Sequence, residues 1–60
     1  MDFSVFVGCI VKIDLVSSSK FYYHGKVLEA DDNFVKMIDE KDRTIIVRVD
    51  EIKNISEDGK

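Results

Sequence analysis

Arg48 and Asp50 stand two positions apart in Val47-Arg48-Val49-Asp50-Glu51-Ile52, at the junction between a β-type run and a compact turn. A guanidinium carries a flat face and a rigid fork of donors. It can therefore stack on a nucleobase while bonding phosphate or carbonyl oxygens, which lysine does poorly. The same side chain can instead close an ion pair with Asp50 on an exposed strand face, where such a pair contributes only about 0 to 1 kcal/mol. The second polar cluster is Asp31-Asp32-Asn33. Asp and Asn bond their own backbone and turn the chain. Asp31 or Asp32 can thus orient this loop or the arginine.

Tyr22, Tyr23 and His24 lie between Lys20 and Lys26. Aromatic residues interleaved with basic ones can stack bases while neutralising phosphates, and on a strand Tyr22, His24 and Lys26 share a face. Aromatics in such a strand equally suit a core or a subunit interface. The acidic residues Asp31, Asp32, Asp39, Glu40 and Asp42 lack the spacing and the glycine of an EF-hand loop and read as solvated turns. Cys9 is the only cysteine and His24 the only histidine. Together they make neither a disulfide nor a structural zinc set, and no histidine near Cys9 in sequence would make it a nucleophile. With no converging catalytic group set, the expectation is a protein that acts through a surface, without catalysis, metal or cofactor.

The elements that must carry these groups are short and β-type. Cys9 to Leu15 alternates Cys9, Val11, Ile13 and Leu15 against Lys12 and Asp14, the period of a half-buried strand. Val16 to Lys20 reads as a hairpin loop. Phe21 to Ala30 reads as a long strand interrupted by Gly25, a residue that inside a strand marks a bend or a close backbone approach. After the Asp31-Asp32-Asn33 turn, Phe34 to Asp39 forms a third strand. Glu40 to Arg43 turns into Thr44 to Val49, with Ile45, Val47 and Val49 on one face and Ile46 on the other. Asp50-Glu51 turns again into Ile52 to Ile55, and 56–60 is expected to be a flexible tail. Asp2 to Val7 suits one helical turn, placing Phe3 and Phe6 over an open end of the fold.

The chain has 60 residues and a net charge of −3, from nine Lys and Arg against twelve Asp and Glu. That length makes one domain, 1–60, whose core is marginal alone, and with no disulfide or metal to staple it oligomerisation is the remaining device. No apolar run approaches the roughly 20 residues that span a bilayer, and the first residues lack the basic stretch and cleavage site of a signal peptide, so a soluble, cytoplasmic protein is expected. The acidic balance is the wrong sign for a protein that grips nucleic acid mainly through phosphate charge. Five short strands, one bent at a glycine, predict an all-β fold: a small, strongly bent, partly open barrel of the SH3-like kind, since so small a sheet covers its core only by curling.

Val47, Arg48, Asp50, Ile52 and Ile55 match the second motif of the Sm and Sm-like family, with Val49 where that family has glycine; Val11, Ile13, Leu15, Gly25 and Asp31 are similar to its first motif. The chain thus resembles an Sm-like (LSm or Hfq-like) protein over nearly its whole length. It departs from the family in the loop. The places of the base-contacting aromatic or histidine, methionine and asparagine hold Asn33, Phe34 and Val35. A one-residue shift makes Asp32-Asn33-Phe34-Val35 look like the bacterial branch, whose Tyr-Lys-His signature is here Arg48-Val49-Asp50.

The resemblance implies a ring of six or seven subunits in which the fourth strand of one pairs with the fifth of the next. Ile46, Ile52 and Ile55 would then be subunit-interface residues. It also implies binding of single-stranded, U-rich RNA through Arg48, Asp31, Asn33, Phe34 and Asp50. The other reading of the same barrel is a protein-interaction or structural module with no nucleic-acid partner. Acidic charge and the altered loop favour this second reading; the retained Arg48 and Asp31 favour RNA.

Overall fold

A computed structural model describes residues 3–58 of the chain. A 3-10 helix, η1 (Phe3–Phe6), precedes strands β1 (Ile10–Leu15), β2 (Ser18–Ala30), β3 (Phe34–Asp39) and β4 (Thr44–Arg48); a second 3-10 turn, η2 (Val49–Glu51), leads into β5 (Ile52–Glu57). All five strands lie in one antiparallel sheet in the order β4-β3-β2-β1-β5, so the fold is all-β, as expected. Strands β4 and β5 are the two ends of that order. No pairing joins them among the described residues, so the sheet is open.

Alternation puts one face of each inner strand into the core. Val11, Ile13 and Leu15 from β1, Val27 from β2, Val35 and Met37 from β3 and Val47 from β4 are buried, with Phe3 of η1 against them. Fully burying side chains of this size contributes about 1.5 to 3 kcal/mol each before ordering costs. Phe6, Cys9, Tyr23, Ile45, Val49, Ile52 and Ile55 pack around this cluster half-buried.

Two glycines shape the sheet for different reasons. Gly8 has φ +88°. Its N–H donates to Val27 O at 2.8 Å while the Val27 N–H donates to Cys9 O at 3.0 Å. Two residues thus oppose one, a β-bulge whose first position needs a left-handed backbone. Gly25 is buried where β3 first meets β2, at the Gly25–Asp39 pair. A Cβ there would overlap the Ile38 carbonyl oxygen and lie 2.9 Å from Asp39 Cα, so β3 crosses β2 only over bare backbone. A second irregularity lies between Val27 and Glu29, and it leaves Leu28 exposed beside buried Val27.

Four expectations change in detail. Strand β2 begins at Ser18 rather than Phe21, because the β1–β2 turn is tighter than its serines suggest: Leu15 already pairs with Ser18. Val49 leaves β4 for η2, and its N–H donates to Asn33 O instead of to a neighbouring strand. Cys9 precedes β1, which starts at Ile10, and is half-buried. Of the segment 56–60 expected to be a tail, Ser56 and Glu57 are strand, pairing with Lys12 and Val11, and the Asp58 N–H donates to Ile10 O at 2.8 Å; Gly59 and Lys60 lie outside the described residues. The helical turn is present over Phe3–Phe6; Asp2, expected at its start, lies outside the described residues.

Candidate nucleic-acid interface

The β2–β3 loop is built by Asp31. Its Oδ1 accepts the backbone N–H of Asn33 at 2.7 Å and of Phe34 at 3.1 Å, while its own N–H donates to Phe34 O at 3.0 Å. This Asx-type turn reverses the chain in three residues and leaves Asp32 and Asn33 exposed at its tip. Its carboxylate is spent on the loop's own backbone. Asp31 is therefore a positioning residue for Asn33.

The β4–β5 junction arrives beside this loop through one backbone bond, Val49 N–H to Asn33 O at 3.0 Å. A glycine is not required there: a half-buried valine makes the same bond and adds packing. Arg48 precedes it in extended backbone (φ −74°, ψ 139°) and stands directly across β4–β3 from Phe34. Directly opposed residues share a face, so the Arg48 side chain and the half-buried Phe34 leave the sheet on the same face, opposite Val35 and Val47.

Arg48 Nη2 contacts Asp50 Oδ2 at 3.1 Å, with the two side chains 72% and 66% exposed. So the ion pair anticipated as one reading of Arg48 is present. Being solvated, it is worth at most about 1 kcal/mol and can open to an incoming ligand. Asp32, Asn33, Arg48, Val49 and Asp50 line a shallow groove of about 280 Å³. Its floor offers the stackable face of the guanidinium, an amide with donors and acceptors, and two carboxylates that accept base N–H groups.

Of the residues expected from sequence, Arg48, Asn33 and Asp50 meet in this groove, Asp31 shapes it from behind and Phe34 flanks Arg48. Asp32 and Val49 also line it. The position of Asp32 between two turn-forming residues could have placed it there, whereas Val49 depends on a backbone bond that no side chain announces. Among the expected interface residues, Ile46 projects from the β4 edge at 64% exposure, but Ile52 and Ile55 are half-buried against the core, with Ile55 pairing Ile13.

The aromatic stretch of β2 lies elsewhere, in a wider groove of about 550 Å³ beside the β3–β4 turn. Phe21 and Tyr22 are half exposed, at 51% and 50%. Lys12 Nζ sits 4.6 Å from the Tyr22 ring centre, and Phe21 meets Tyr23 edge-on at 4.9 Å. His24 bridges two carboxylates, Nδ1 to Glu40 Oε2 and Nε2 to Asp58 Oδ2, both at 2.9 Å, a geometry in which only an imidazolium donates to both.

The acidic turn is a backbone device. Asp39 Oδ1 accepts the N–H groups of Lys41 and Arg43, and Oδ2 accepts Arg43 Nε at 2.8 Å. The Arg43 amide above all holds this carboxyl below its ordinary range, helped by the Lys41 amide and the Arg43 guanidinium and opposed by partial desolvation. Asp42 takes the left-handed position of the turn, at φ 63°. Desolvation, together with the nearby Glu57 carboxylate, pushes the Cys9 thiol up, away from the thiolate a nucleophile needs. Among the described residues no group of three or more His, Cys, Asp or Glu side chains is placed to hold a metal ion, and no helix is long and apolar enough to cross a membrane. No protein-family model, curated protein or solved structure matches the chain.

Proposed function

We propose that this chain is a cytoplasmic, Sm-like ring subunit that binds single-stranded, U-rich RNA without catalysis. The reading is carried by one observation: Arg48 and Asp50 meet Asn33, from a loop distant in sequence, in one groove at the junction of two loops. A uracil fits the chemistry of that groove. Its ring stacks on the guanidinium, its imide N–H meets a carboxylate and its carbonyls meet the Asn33 amide. Assembly is supported by the strand order. The free β4 edge carries exposed Ile46, the free β5 edge lies at the opposite end of the sheet, and pairing one with the other across copies would satisfy the open backbone groups of both. A head-to-tail pairing of this kind closes into a homo-oligomeric ring.

Native mass spectrometry of the protein alone and with oligouridine or oligoadenosine tests both halves of the proposal. The expected result is a six- or seven-membered ring carrying one oligouridine, with at least tenfold weaker RNA binding by Arg48→Ala and no change in ring size. A ring indifferent to RNA would refute the RNA half, and a monomer at micromolar concentration would refute the assembly. A protein-interaction module of the same small barrel is the second reading. It is favoured by the closed Arg48–Asp50 pair and the net charge of −3, which weaken phosphate attraction.

A further inference from the structure

The sheet has a third unpaired edge, inside the fold rather than at the ends of its strand order. Strand β2 runs from Ser18 to Ala30, but β3 joins it only from Gly25 onward and the β1 ladder shifts register between Asp14 and Leu15, so Tyr22–His24 has β1 in regular pairing on one side and no strand on the other among the described residues, while Ser19 to Phe21 pair with neither. The bulge at Gly8 fixes which backbone groups point outward. Because the Val27 N–H bonds Cys9 O, the alternation of an antiparallel ladder makes Val11–Gly25 and Ile13–Tyr23 the hydrogen-bonded pairs. The N–H and C=O groups of Tyr22 and His24 are therefore directed away from β1, into the wider groove. No backbone bond of a turn or loop reaches them.

This groove has the form of a missing strand. One wall is the β2 edge with Phe21, Tyr22 and His24, the other is the β3–β4 turn with Lys41, and β3 closes it at the Gly25–Asp39 pair. The open edge in regular register is short, Tyr22 to His24, about 10 Å at ~3.3 Å per residue, so a docked strand pairs with it at Tyr22 and His24. Its charges are unevenly committed. Asp39 is held by Arg43 and the turn amides, and Glu40 and Asp58 are held by His24. Lys12 rests on a ring and Lys41 has no carboxylate partner.

We infer that the Tyr22–His24 edge is a docking slot for an extended peptide of a partner protein, one that alternates carboxylate with apolar side chains and adds to the sheet as a strand. The outward amides and carbonyls of Tyr22 and His24 pair with the peptide backbone. Phe21, Tyr22 and Ile45 take apolar side chains, and Lys12 and Lys41 take carboxylates. Strand addition draws affinity from main-chain bonds and specificity from alternate side chains. A peptide fits this edge better than a nucleic acid, whose backbone cannot match donors and acceptors at strand spacing. The slot takes Ile45 of β4 and Asp58, just after β5, into its lining, but its backbone edge belongs to β2, and it does not depend on the RNA reading.

The test is amide hydrogen exchange by NMR on the full chain, free and with a pooled set of capped octapeptides alternating glutamate with valine, threonine or phenylalanine. In the free protein the Tyr22 and His24 amides should exchange at least tenfold faster than those of Tyr23 and Gly25. Peptide should slow them at least tenfold. Methylating alternate peptide amides should abolish that protection, and Lys41→Glu, on an exposed turn, should weaken binding about threefold or more. Any of four results would overturn the inference: Tyr22 and His24 already as protected as Tyr23, binding by no peptide of the set, equal binding by the methylated peptides, or the same amides slowed by oligouridine or by protein concentration alone.

Discussion

Replacing Gly25 with alanine should cost a large share of the domain's stability. The added Cβ would overlap the Ile38 carbonyl oxygen and approach Asp39 Cα and the Ile38 carbonyl carbon to 2.9 Å each. All three are backbone atoms, so no rotamer change relieves them; β3 must move off β2, loosening the Lys26–Ile38 and Val27–Met37 pairs beside it. Overpacking of a tight site costs about 1 to 3 kcal/mol, and rigid backbone on the other side puts this case at the upper end, ~3 kcal/mol. A chain of this length has roughly 3 to 9 kcal/mol in total at 0.05 to 0.15 kcal/mol per residue. With a urea dependence of about 1 kcal/mol per molar, the midpoint should fall by ~3 M or the variant should be unfolded outright. Gly8→Ala is the internal control. Nothing lies within 4 Å of its added Cβ, so only the strain of φ +88° is felt, about 1 kcal/mol. Equilibrium urea unfolding followed by circular dichroism measures both. If Gly25→Ala costs no more than Gly8→Ala, the close crossing of β3 over β2 is wrong.

Ile46→Glu removes an exposed apolar group from the β4 edge and should convert the proposed rings to monomers in sedimentation velocity, with an unfolding midpoint below that of the parent and independent of protein concentration, because the contribution of assembly is lost; an unchanged oligomer would count against β4 as an assembly edge. The Asp39 carboxyl titrates lower folded than unfolded, so it adds stability above its unfolded value, about 4, and that contribution is lost as pH falls through the lower folded value. Protection of the Lys41 and Arg43 amides should accordingly collapse below about pH 4 in the parent chain, and should be weak and independent of pH over that range in Asp39→Asn.

Period-two patterning made β1 and β3 legible because one face of each is dry: Val11, Ile13 and Leu15, then Val35 and Met37, alternate without exception. Gly25 also announced itself, since a glycine amid Tyr-Tyr-His and Lys-Val-Leu has no turn to make and must be there for space. What could not be read was set by backbone bonds between segments distant in sequence. Residues 56–58 look like a polar tail until Asp58 N–H finds Ile10 O, and Val49 looks like a strand residue until its amide finds Asn33 O. The groove was legible in its ingredients, Arg48, Asn33 and Asp50, and in an aspartate that orients the loop or the arginine; that Asp31 rather than Asp32 does so, and for the loop's own backbone, needed the structure. His24 read as one member of a strand face with Tyr22 and Lys26. Its two carboxylates come from 16 and 34 residues away, beyond any local pattern.

The strand order also dictates how the chain can assemble itself. Strands β1 to β4 form a meander of successive hairpins, each closed by a turn of a few residues, and their loop-closure cost is small. Strand β5 breaks that economy, because its partner is β1, about forty residues earlier at the Ile13–Ile55 pair. That one long-range pairing closes a far longer loop than any hairpin, and it raises the contact order of an otherwise local topology. Residues that look peripheral in the finished molecule, Ile52, Ile55 and the His24–Asp58 contact, thus sit at its longest closure.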